Sequence, residues 1–101
     1  MSAVSARHII VAGGDLSHLA RLVKALRDAG HAVFPVSDGE GAVSIAHVLA
    51  HVDLLIASRD TPTVSGVPFE HLIKDRLVNV SVVYWDDQEA HSDQLEQLLS
   101  P

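Results

Sequence analysis

The chain has 101 residues, no cysteine and a formal net charge of −6, and 48% of its residues are apolar. That length holds one domain, 1–101, with a modest core. The missing thiols exclude disulfides, thiolate metal sites and cysteine nucleophiles, and the negative balance disfavours DNA or RNA as a partner.

No apolar run approaches the ~20 residues of a membrane helix, so no membrane partner is expected. The mixed stretch 1–7 reads as a disordered tail, not as a secretory signal, and a soluble, cytoplasmic protein is expected. Seven histidines are many for this length, so charge and association should respond to pH near 6.

His8-Ile9-Ile10-Val11-Ala12 is a short β-branched run closed by Gly13-Gly14, which predicts a buried strand and a tight turn. Asp15 then precedes Leu16, Leu19, Ala20, Leu22, Val23 and Leu26. Their three- and four-residue spacing predicts an amphipathic helix with Asp15 as N-cap and Gly30 just past its end. His31–Val36 is the second strand, and Pro35 argues for an edge position or the strand's end. Ser37–Gly41 is a turn into a helix with Val43, Ile45, Ala46, Val48 and Leu49 as its apolar set, His47 and His51 sharing one face. Val52–Ala57 is apolar apart from Asp53, as in a strand covered on both sides. Phe69, Leu72, Ile73 and Leu77 mark a third helix, and Val80–Trp85 a fourth strand. Asp86-Asp87 then opens a last short helix through Leu95, Leu98 and Leu99. Strands alternating with helices predict an α/β fold of three αβα layers on a parallel four-stranded sheet.

Three stretches together resemble a response-regulator receiver domain of the flavodoxin-like class. The first strand leads into a loop with Asp15, one position beyond the family's acidic pair; Ser37-Asp38-Gly39-Glu40-Gly41-Ala42 resembles the entry to the family's second helix; and Asp53–Ser58 with Pro62 and Gly66 resembles the family's Asp-Leu…Asp…Pro…Gly run. The resemblance spans about residues 8–85 and implies strand order 2-1-3-4 without the fifth strand–helix unit. It also implies a degenerate pocket formed by Gly13, Gly14, Asp15, Ser58 and Tyr84. Ser58 stands where the family has its phospho-accepting aspartate, Gly13-Gly14 where it has its magnesium-binding acids, and Tyr84 where it has its switch hydroxyl. The family's lysine has no counterpart. A receiver accepts phosphate because clustered carboxylates hold a cation beside a carboxylate nucleophile, and these positions supply neither.

The expectation is therefore a phosphorylation-independent pseudo-receiver: no enzyme, no metal and no cofactor, but a protein–protein interaction or dimerisation module in a signalling assembly. Losing the fifth unit turns the fourth strand into an apolar edge, which native proteins normally protect. Val80, Val82, Tyr84, Trp85, Leu95, Leu98 and Leu99 are the candidate interface, toward a partner protein or a second copy.

Rival readings use the same residues. The Gly13–His18 loop is suited to a small anion- or nucleotide-binding or phosphocarrier domain, because a helix N-terminus attracts anions. The run from there to Val33 also resembles the start of two-domain nucleotide-sugar glycosyltransferases. Against both stands a plain glycine turn that lets helix and strand pack closely. His47 and His51 at i and i+4 have the spacing of a metal pair on one helix face, against a bland polar face. A piece of a longer receiver, cut before its last strand, is the remaining possibility.

Overall fold

A computed structural model describes residues 7–14, 16–49 and 51–84. Four parallel strands run β1 (His8–Ala12), β2 (Ala32–Val36), β3 (Leu54–Ala57) and β4 (Val82–Tyr84), in the order β2-β1-β3-β4. Three helices connect them: α1 (Leu16–Asp28), α2 (Gly39–Leu49) and α3 (Phe69–Arg76). The expected α/β class, parallel pairing and strand order are all present. β2 is an edge, as Pro35 requires, and Pro35 itself is exposed.

The sheet is buried from both sides. Ile9, Val11, Leu54, Ile56 and Val33 face Leu19, Val23 and Leu26 of α1. Ile10, Ala12, Leu55 and Ala57 face Ala42 and Ala46 of α2 and Phe69 and Ile73 of α3. Alternate residues of β1 and β3 thus go to opposite faces, and both sets are apolar, as a doubly covered strand demands.

Local chemistry sets the helix ends. Gly30, at φ +98°, follows α1 in the left-handed conformation. Its N–H donates to Arg27 O at 3.0 Å and that of His31 to Leu26 O at 3.1 Å, the paired closure of a Schellman cap. Asp38 caps α2: its Oδ1 accepts from Gly41 N–H at 2.6 Å. α3 carries Glu70 in its first turn and Lys74 and Arg76 in its last, matching the helix dipole.

Three expectations change. α2 ends at Leu49, so His51 lies beyond it and shares no helix face with His47. Val48, counted in the apolar set of that helix, is 80% exposed; the small residues Ala42 and Ala46 form the buried stripe instead. Of the strand expected over Val80–Trp85, β4 takes Val82–Tyr84, Val80 and Ser81 precede it, and Trp85 lies outside the described residues. The last helix, Asp15 and residues 1–6 lie outside the described residues, whereas Arg7 is tied in: its carbonyl accepts from Ala32 N–H at 2.9 Å.

Gly39 sits where α2, α3 and the loop after β3 converge. A Cβ there would lie 2.8 Å from Leu72 Cδ2, 3.0 Å from Thr63 Cγ2 and 3.1 Å from Phe69 Cδ1. Gly39→Ala should destabilise the fold by about 1–3 kcal/mol through overpacking, read as a lower urea midpoint at unchanged slope.

Candidate functional site

The strand order reverses between β1 and β3, so the crevice at their C-terminal ends is the natural ligand site of this architecture. The structure brings Gly13, Gly14 and Ser58 together there, with Tyr84 at the end of the neighbouring strand. The crevice is closed by its own residues. Gly13 N–H donates to Val36 O at 3.2 Å, and Ser58 N–H to Ala12 O at 3.1 Å. The Thr61 hydroxyl donates to Ser58 O at 2.5 Å, and the Ser58 hydroxyl donates to Asp60 Oδ1. Ser58 and Thr61 are only 5% and 4% exposed. A Cβ on Gly13 would stand 2.6 Å from Leu19 Cδ1, and one on Gly14 3.2 Å from Pro62 Cδ. Both glycines therefore serve close packing of helix and loop, and the amide of Gly13 is already spent. Among the described residues no group of three His, Asp or Glu side chains is placed to hold a metal ion.

Beside the crevice, the loop from β3 to α3 is tied down by one carboxylate. Glu40, in the first turn of α2, accepts from Val64 N–H at 2.7 Å, Ser65 N–H at 3.2 Å and the Ser65 hydroxyl at 2.8 Å. The Val64 amide is the main cause that lowers the Glu40 pKa to about 2, the two Ser65 donors adding to it against the cost of desolvation. The loop, α2 and α3 together bound a groove of about 870 Å³ over Val43, Val67 and Leu72, with His71, Lys74 and Arg76 on its wall.

Tyr84 is held on both sides. The Arg59 guanidinium lies 4.4 Å from its ring centre, and Phe69 meets it edge-on at 6.4 Å. Arg59 also pairs with Glu70 at 2.6 Å. These contacts hold the Tyr84 ring at the end of β4 against α3.

The candidate interface is described in part. Val80, Val82 and Tyr84 line a groove of about 360 Å³ between β4 and α3, together with Ile73, Leu77 and Val78. Val78 is 82% exposed. Trp85, Leu95, Leu98 and Leu99 lie outside the described residues.

Sequence reasoning missed the opposite end of the sheet. There Asp53, read as a break in an apolar strand and as the first residue of the Asp-Leu run, accepts from His8 N–H at 2.8 Å and from the His51 ring at 2.9 Å. The His8 amide first, and His51 after it, hold its carboxyl below the usual carboxylate range. The Glu40 clamp was missed as well. A single acid at the start of an amphipathic helix carries no signal of a partner 24 residues away.

Comparison with protein-family models, with curated proteins and with solved structures finds no match for this chain.

The clamp has a pH signature. The folded pKa of Glu40 lies below its ordinary 4.5, so its contribution is complete above that value and is lost as pH falls toward 2. A carbon-13 titration should give a Glu40 carboxyl midpoint near 2. Glu40→Gln at neutral pH should raise amide exchange at Val64 and Ser65 while leaving Ile10 and Ile56 protected. A midpoint near 4.5 would mean the three donors do not hold the carboxylate.

Proposed function

We propose that this chain is a phosphorylation-independent interaction module built on a receiver-like frame, working in a cytoplasmic signalling or regulatory assembly through the open side of β4 and α3. The observation that carries the reading is the edge. β4 ends the described sheet, and the groove beside it is lined by apolar side chains of both β4 and α3. An edge of this kind pairs with another chain unless something protects it.

The strand-end crevice supports the same reading from the other direction. Phosphoryl acceptance by the receiver route needs a carboxylate nucleophile and clustered acids around a cation. Here the acceptor position is Ser58, whose hydroxyl is committed to Asp60. The reading assigns no catalysis, no cofactor and no nucleic acid. The rival anion-binding or phosphocarrier role of the Gly13–His18 loop is disfavoured by Gly13, which donates its N–H to Val36.

Val82→Lys adds a charge to the apolar groove and should abolish association, whereas Ser58→Ala should leave it unchanged. Both are read by light scattering after size exclusion, with circular dichroism to confirm folding. Adding magnesium with beryllium fluoride, a phosphoryl mimic, should leave the amide spectrum unaltered. Shifts confined to residues 12–19 and 58 would sink this reading in favour of an anion site. Association that survives Val82→Lys would move the working surface elsewhere.

A further inference from the structure

The hydrogen-bond phase of β4 determines what its edge offers. In the β3–β4 ladder Leu55 N–H donates to Ser81 O at 2.8 Å, and Leu55 is in register with Val82. In a parallel pair the peptide groups of alternate residues turn to the same neighbour. Ser81 and Val83 therefore face β3, and the N–H and C=O of Val82 point away from it, over the edge.

The flanks of that position complement themselves. The Val82 side chain belongs to the α3 side of the sheet, in the groove with Ile73, Leu77 and Val78. On α3 that groove also meets Glu70 and, one turn later, Lys74. A two-fold axis normal to the sheet at Val82 would run β4 antiparallel to its copy and α3 antiparallel to its copy. Glu70 of each α3 would then face the partner's Lys74. A self-complementary patch with apolar centre and opposite charges one turn apart is what an isologous contact requires.

Resting on the interaction reading above, we infer that the occupant of the β4 edge is a second copy of this chain. The two β4 strands pair antiparallel about Val82, and each Val82 N–H donates to the carbonyl of the partner's Val82. The two sheets become one sheet of eight strands. Exposed Val78 and the groove beside it are covered in the same step, which accounts for an apolar surface that a monomer would leave wet.

Val82→Pro removes only the outward N–H, so the ladder to β3 survives, as prolines on edge strands allow. Sedimentation equilibrium should find the wild type dimeric. Val82→Pro should weaken association roughly 10- to 50-fold, the loss of two interstrand hydrogen bonds. Lys74→Glu, which leaves the Arg59–Glu70 pair intact, should weaken it by like-charge contact with the partner's Glu70. Should Val82→Pro fail to fold by circular dichroism, Lys74→Glu decides alone. A monomeric wild type at high concentration overturns the second copy as occupant and leaves the interaction reading to the phosphoryl-mimic titration. A folded variant of either kind that associates like the wild type also overturns it.

Discussion

Two strands with no exposed side organise everything else. Every side chain of β3 and all but His8 of β1 are buried, and neither strand has a polar face to offer water. Such a pair is stable only with helices above and below, so α1 must cross to one face and α2 and α3 to the other. The same demand keeps β1 and β3 adjacent in the centre and sends the partly exposed strands β2 and β4 to the margins. It also explains the two glycines after β1, since α1 and the β3–α3 loop both close in on that strand end.

The architecture was legible because this constraint is written in composition. Continuous apolar runs at 9–12 and 54–57, Pro35 in the second strand and Gly30 after the first helix each have one cheap structural solution, and those solutions agree with one another. Boundaries were less legible where competing local forces are close. The second helix stops at Leu49, and His51 beyond it meets Asp53 at the foot of β3. Its buried stripe consists of Ala42 and Ala46, whose small side chains let α2 lie close to the sheet while Val48 turns outward.

The expected pocket was legible only through the resemblance to a receiver, and position alone did not say what its side chains do. Ser58 falls at the end of β3 as the pattern implies, yet its meaning comes from the Asp60 and Thr61 bonds that seal it. Tyr84 has a polar group but is gripped through its ring, by Arg59 and Phe69. Contacts such as Glu40 with the 64–65 loop join residues far apart in sequence through single side chains, and no periodicity records them. Among the described residues these polar contacts lock loops, while an apolar groove lines the β4 margin of the sheet.

The position of β1 has a consequence for how the chain reaches this state. The first strand is flanked by β2 on one side and β3 on the other, and its amide at His8 bonds a carboxylate 45 residues later. During synthesis at about 5–20 residues per second, β1 waits roughly 2–9 s for β3 to emerge. In that interval an apolar strand has a single neighbour and one bare side. Pairing across such separations is intrinsically slow, so the interior strand that stabilises the finished fold is also its most exposed hazard while the fold is being made.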